Sequence, residues 1–132
     1  MTRMTLTEIP RTYKINGQHA EQTARFALTG KIEKADNRPF TMGGDCGNIQ
    51  IKSARATICK GTDIKAHLDR DPAEFYGYVT EDFKTMVIMT KTEYWDFCRE
   101  FGATDRESKK NGGAVKMRFG KETKKMKEWL GV

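Results

Sequence analysis

The chain lacks the features that would tie it to an oxidising compartment or a bilayer. Its 132 residues hold only three cysteines, Cys46, Cys59 and Cys98. That odd number at wide spacing fits free thiols in a reducing compartment, not a disulfide framework. No apolar run approaches the length needed to cross a membrane. The opening stretch MTRMTLTEIPRTYK lacks the apolar segment and small-residue cleavage site of a secretory signal. A cytoplasmic protein with no membrane partner is therefore expected. The two histidines, His19 and His67, and the three cysteines form no closely spaced ligand pairs, which argues against a zinc site. Gly120-Lys121 is followed by Glu122 and has no upstream glycine of a phosphate-binding loop, so a nucleotide triphosphatase is excluded. Repeats, low-complexity tracts and long linkers are also missing. Residues 1–132 read as one domain, long enough to bury a core without disulfide or metal staples.

What the chain does have is positive charge, unevenly placed. The formal net charge is +6. Between Ala103 and Val132 there are nine basic residues against four acids, so nearly all of the excess sits in the last thirty positions. A basic surface facing a polyanion accounts for this, because neutralising phosphates releases condensed counterions; a solvated, lysine-rich terminal helix is the plainer alternative.

Hydrophobic spacing predicts an α/β domain. Residues 16–29 form a helix closed by Gly30, with Ala20, Ala24, Ala27 and Leu28 at helical spacing. Phe40–Asp45 and Ile49–Ile58 read as two strands joined at Gly47-Asn48. A short helix over 62–69 follows, then two buried strands, Phe75–Thr80 and Met86–Met89. Thr90-Lys91-Thr92-Glu93 has the pattern of a capping box opening a helix through Phe101, with Gly102 after it. Residues 103–113 are expected as a polar loop, Ala114–Phe119 as an edge strand, and Lys121–Leu130 as a final helix burying Met126, Trp129 and Leu130.

The stretch richest in chemistry is Gly43 to Lys52. If Gly47-Asn48 make a two-residue turn, Cys46 pairs with Ile49, Asp45 with Gln50 and Gly43 with Lys52. Alternation then sends Asp45, Gln50 and Lys52 to one side and Ile49 and Ile51 to the other, into the core. A carboxylate, an amide and an ammonium gathered in this way suit metal-assisted phosphodiester hydrolysis. Asp45 is a hard oxygen ligand fit for Mg²⁺, which keeps several waters and needs few protein ligands. Gln50 offers a neutral carbonyl oxygen, and Lys52 can orient the attacking water and offset developing negative charge. The glycine opposite Lys52 leaves room for a substrate backbone.

On these residues the chain resembles the PD-(D/E)-x-K nucleases, which carry an aspartate at a hairpin and an acid-x-lysine on the next strand. Several lineages of that family replace the second acid with glutamine, as in Gln50-Ile51-Lys52. The resemblance covers about residues 15–101 and leaves a basic extension, about 103–132, outside it. It implies a restriction-endonuclease-like α-β-β-β-α-β core, with a mixed central sheet flanked by helices. It also implies an endonuclease acting on duplex DNA, with junction-resolving or nicking activity as a variant, and a homodimer that cuts both strands. A glutamate often stands on the helix before the sheet in these enzymes, and Glu21 is the matching position. Either Asp45 or Asp36 can match the metal-binding aspartate: Asp36 has the more usual separation from Gln50, and Asp45 has the hairpin pairing. Glutamine in place of an acid removes one negative charge and weakens metal binding, which favours higher Mg²⁺ or Mn²⁺. A non-catalytic DNA-binding descendant of the fold is the competing expectation.

Arg106, Lys109 and Lys110 precede Asn111-Gly112-Gly113, and Lys116 and Arg118 alternate on the strand after it. These five residues are the candidates for DNA contacts, to phosphates before base edges. His19 and His67 have no positioned partner in the sequence, and His67 reads as a surface or boundary residue. Tyr94, Trp95, Phe97, Cys98 and Phe101 read mostly as helix core.

Overall fold

The computed structural model describes residues 1–11, 14–30, 46–53, 64–106 and 115–132, with backbone alone at 64, 67, 103–106 and 115–118. In chain order the elements are β1 (Thr2–Thr5), α1 (Asn16–Thr29), β2 (Ile49–Ser53), α2 (Ile64–Arg70), β3 (Phe75–Val79), β4 (Thr85–Thr90), α3 (Lys91–Phe101), β5 (Ala103–Arg106), β6 (Val115–Arg118) and α4 (Lys124–Leu130). Four strands form one sheet in the order β1-β4-β3-β2, and β5 pairs with β6 alone in a second. β2 runs parallel to β3, whereas β3–β4 and β4–β1 are antiparallel. The molecule is thus a mixed α/β fold, as the hydrophobic spacing predicts at this coarse level.

Helices cover both sides of the four-stranded sheet. On one side Ala20 and Ala24 of α1 pack with Ile51, Val79 and Met86. Alanine at those two positions lets the helix approach closely, and Gly77 in the adjoining strand has no space to spare. A Cβ at Gly77 would come within 2.6 Å of Met86 Sδ and 3.3 Å of Ile49 Cγ2. On the other side Tyr76, Tyr78, Val87 and Met89 pack against Tyr94, Phe97 and Cys98 of α3 and Met126 and Leu130 of α4. The two clusters follow from alternation: lateral neighbours in the sheet share a side, so one row of each strand faces α1 and the next faces α3 and α4.

The ends of these elements have local causes. Gly30 closes α1 in the left-handed region at φ 74° and donates its N–H to Phe26 O at 2.8 Å. Thr90 and Glu93 form the capping box, with Glu93 N–H to Thr90 Oγ1 at 3.2 Å and Thr90 N–H to Glu93 Oε1 at 3.0 Å. Thr123 caps α4 by accepting the Met126 N–H, so that helix starts three residues later than its lysine-rich approach suggests.

Two elements differ from the sequence expectations. Thr2–Thr5 is a strand at the sheet edge, paired with β4, although no apolar alternation marks it. Residues 103–106, expected within a polar loop, form β5; pairing with β6 overrides the low strand propensity of Ala-Thr-Asp-Arg. The expected strand Phe40–Asp45 and the second half of Ile49–Ile58 lie outside the described residues.

Candidate functional site

The bend before β2 has the expected form. Cys46 and Ile49 exchange backbone hydrogen bonds of 3.1 Å and 3.0 Å. Gly47 sits at φ 57°, and Asn48 stays at negative φ. A glycine at positive φ followed by a residue at negative φ is the type II′ arrangement, whose twist suits paired strands. The bend is also fastened to β3. Asn48 O accepts the N–H groups of Glu74 (3.0 Å) and Phe75 (3.1 Å), and Asn48 Nδ2 donates to Glu74 Oε2 at 3.3 Å.

Beyond the bend, Gln50 lies beside Tyr76 and Lys52 beside Tyr78 in the parallel register. Tyr76 and Tyr78 belong to the α3–α4 side of the sheet and Ile51 to the α1 side, so Gln50 and Lys52 share the side opposite Ile51. Both are half-buried. The tyrosines beside them are firmly held. Tyr76 donates to Asp71 Oδ2 at 2.5 Å and stacks on Tyr94 with ring centroids 4.6 Å apart and planes 5° from parallel. Tyr78 packs edge-on to Phe97 and Phe119. Burial, followed by the charges of Glu122 and Glu81, pushes the Tyr78 phenol well above its ordinary range. Burial does the same to Tyr94. Both hydroxyls are therefore neutral at any physiological pH, and the wall beside Gln50 and Lys52 carries no phenolate from either ring.

The other predicted site residues are distributed as follows. Glu21 is 8 % exposed and lies on α1, the helix packed on the Ile51 side of the sheet and not on the side of Gln50 and Lys52, so the structure does not gather it with them as the resemblance implies. Asp45 and Asp36 lie outside the described residues. Among the described residues, no group of three or more His, Cys, Asp or Glu side chains is arranged to hold a metal ion. Gln50 and Lys52 are brought together, with one carboxylate, Glu74, at the root of their row.

Of the basic candidates, Lys109 and Lys110 lie outside the described residues. Arg106, Lys116 and Arg118 fall in the β5–β6 ribbon, whose register sets Arg118 opposite Ala103, Lys116 opposite Asp105 and Arg106 opposite Val115. An acid thus stands across from one proposed phosphate contact, a pairing hidden while 103–113 reads as a loop. His19 does have a partner from a distant segment: the ring is fully buried, its Nε2 lies 3.6 Å from Glu8 Oε2, and Phe83 meets it edge-on at 4.8 Å. Neither Cys46 nor Cys98 is in a disulfide.

A second polar concavity of about 450 Å³ lies between the β3–β4 turn and α4, lined by Glu81, Asp82, Lys84, Glu122 and Lys127 among others. Its acids are used structurally. Glu81 N–H donates to Glu122 Oε1 at 2.6 Å, and Glu122 N–H donates to Glu81 Oε1 at 3.1 Å, which ties the turn to the approach of α4.

The link from Asn48 to Glu74, and the place of Tyr76 with its partner Asp71 beside Gln50, escape a reading of the sequence because they arise from the parallel β2–β3 pairing. Nothing in the local pattern announces that pairing. No helix among the described residues is long and apolar enough to cross a membrane. Comparison of the chain with protein-family models, curated proteins and solved structures gives no match.

Proposed function

We propose that the chain is a metal-dependent DNA endonuclease of the PD-(D/E)-x-K type. The observation that carries this reading is the anchored bend at Gly47-Asn48, followed by a half-buried amide and ammonium on one side of β2. Asp45, with Asp36 as its rival, is the principal oxygen ligand and Gln50 assists; Glu21, expected from the resemblance to join them, sits on the helix that covers the opposite face of the sheet and is left out of the set. When bound, Mg²⁺ or Mn²⁺ polarises the scissile phosphate and acidifies a water. Lys52 orients that water and offsets charge gathering on the phosphate oxygens. Ile51, between the two polar residues, locks the strand to α1 and so limits the freedom of both side chains. The β5–β6 ribbon, with Arg106, Lys116 and Arg118 and the intervening Lys109 and Lys110, supplies the phosphate contacts. A two-stranded ribbon is of a size that a DNA major groove admits. Restriction-type cleavage of duplex DNA by a cytoplasmic homodimer is the form proposed first, with junction resolution or nicking as its variants.

One observation favours a second reading. Glu21 lies on the helix that covers the opposite face of the sheet, and glutamine replaces the second acid; both fit a DNA-binding module without cleavage. Supercoiled plasmid incubated with the protein and Mg²⁺ or Mn²⁺, resolved on a gel, separates the two. Conversion to nicked or linear DNA supports the nuclease. Retarded but intact plasmid supports the binding module.

A further inference from the structure

The concavity between the β3–β4 turn and α4 holds a pair of bonds that the proposed chemistry does not use. Glu81 N–H donates to Glu122 Oε1 at 2.6 Å, and Glu122 N–H donates to Glu81 Oε1 at 3.1 Å. Each glutamate satisfies the other's backbone, and two acids are thereby drawn together from segments 41 positions apart. One jaw of this clasp is stiff. Asp82 Oδ1 accepts from Thr80 Oγ1 at 2.7 Å and from Lys84 N–H at 3.0 Å, and Thr80 N–H donates to Thr85 O at 3.0 Å. The other jaw is a short span between two anchors: Phe119 and Met126 are buried in the core on the α3–α4 side, whereas a Cβ built on Gly120 meets nothing within 4 Å. Opening therefore moves residues 120–122 and leaves the sheet in place.

The groups around the Glu122 carboxylate are Tyr78 from β3, Glu81, Asp82 and Lys84 from the turn, and Lys127 from α4, with Val132 completing the wall. Tyr78 is fully buried, and its hydroxyl, which feels the charge of both glutamates, donates to neither. Burial, then the charges of Glu81 and Asp82, push the Glu122 carboxyl up; the Glu81 N–H and the Lys127 ammonium pull it down and are outweighed.

We propose that Glu81 and Glu122 form a pH-sensitive latch on the approach to α4, closed when Glu122 carries a proton and loosened when both glutamates are ionised. A carboxyl raised in the folded state contributes stability that is complete below its unfolded pKa and is lost as pH rises through the folded one. The latch is thus tight in acid and looser toward neutrality. It governs how the second foot of the ribbon and the start of α4 are seated, and it is independent of the nuclease reading.

Amide hydrogen exchange, followed by NMR on the full chain, reads the latch at its own two donors, the N–H groups of Glu81 and Glu122. It is measured between about pH 4 and about pH 8, from the ordinary carboxylate range to beyond neutrality, and corrected for intrinsic exchange. The Ala24 amide in α1, on the other side of the sheet, reports opening of the whole fold. In wild type the protection of both glutamate amides is expected to fall several-fold as pH rises, with Ala24 unchanged. Glu122→Gln keeps an oxygen for the Glu81 N–H and never ionises, so its protection is expected to stay at the acid level throughout. Glu81→Gln removes a like charge and keeps an acceptor for the Glu122 N–H, and is expected to show a shallower fall. Circular dichroism establishes that both variants are folded.

Flat protection in wild type overturns the latch. An equal fall in Glu122→Gln also overturns it, since ionisation at that position would then be irrelevant. A fall shared in full by Ala24 does the same, because the event would be global unfolding. Should Glu122→Gln fail to fold, Glu81→Gln decides: a fall as steep as that of wild type overturns the proposal, and a shallower one supports it.

Discussion

Cys46 and Ile49 face each other across a two-residue bend and exchange both of their backbone hydrogen bonds. Between them Gly47 holds φ 57°, a value that side-chain-bearing residues adopt at a cost. Nothing lies within 4 Å of a Cβ built there, so the whole penalty for a larger residue is conformational. Gly47→Ala is expected to destabilise the protein by about 1–2 kcal/mol, read as a lower midpoint in urea denaturation. An unchanged midpoint would mean that the bend does not have this geometry in solution.

Lys52→Ala and Asp45→Ala are each expected to abolish plasmid cleavage while leaving circular dichroism and DNA retention close to wild type. Lys52 stands at a half-buried position of β2 and belongs to neither buried core cluster, so truncating it opens no core cavity. Full cleavage by Lys52→Ala would end the hydrolytic assignment.

Charge reversal of the ribbon, Lys116→Glu together with Arg118→Glu, is expected to weaken DNA binding and flatten its salt dependence. Every phosphate that the protein no longer neutralises reduces the slope of log K against log salt by about 0.9. Arg118 stands opposite Ala103 and Lys116 opposite Asp105, so Arg118→Glu alone is expected to account for more of the change. Filter binding at several salt concentrations measures both, and an unaltered slope would take the ribbon out of the interface.

Two carboxylates are expected to give pH dependences of opposite sign. The Thr90 backbone N–H holds the Glu93 carboxyl below its ordinary range, so its folded-state pKa lies under the unfolded one. Its contribution to stability is present above the unfolded value and is lost as pH falls through the folded value. Thr90→Ala removes the cap and is expected to cost about 1 kcal/mol. Glu93→Gln is expected to lower the melting temperature at neutral pH, with the gap to wild type closing in acid. Glu122 behaves in the reverse sense. Burial, then the charges of Glu81 and Asp82, push its carboxyl up against the opposing pull of the Glu81 N–H. Its favourable contribution is complete below the unfolded pKa and is lost as pH rises through the folded one. Glu122→Gln keeps an acceptor for that N–H and is expected to melt higher than wild type at neutral pH, the difference vanishing in acid. Melting curves across pH 3 to 8, a range spanning about the ordinary carboxylate values and neutrality, check both signs.

Local signals in the chain are strong for α1, β3, β4, α3 and the bend. Each rests on a short-range cause: alanine spacing, apolar strands, a Thr-x-x-Glu box, a Gly-Asn pair. The residues left unannounced depend on partners far away in sequence. β1 is a strand because β4 offers it a ladder, not because Thr-Arg-Met-Thr prefers one. Tyr76 comes to Gln50, and Glu74 to Asn48, because β2 and β3 run parallel across a connection of more than twenty residues. No two-residue periodicity encodes such a crossover. His19 belongs with them, since its neighbour Glu8 enters from the segment after β1.

The ribbon has a consequence of its own. Its first residue, Ala103, pairs with its last, Arg118, so the two feet of the hairpin stand about 5 Å apart. They are planted between α3 and the Phe119 that anchors the approach to α4. An insertion whose ends already touch imposes no length on what lies between them. Its arm can be shortened, extended or exchanged for another without moving the sheet or either helix beside it. Evolution, or an engineer, can therefore change the charge and reach of the basic arm while the residues around β2 are left alone.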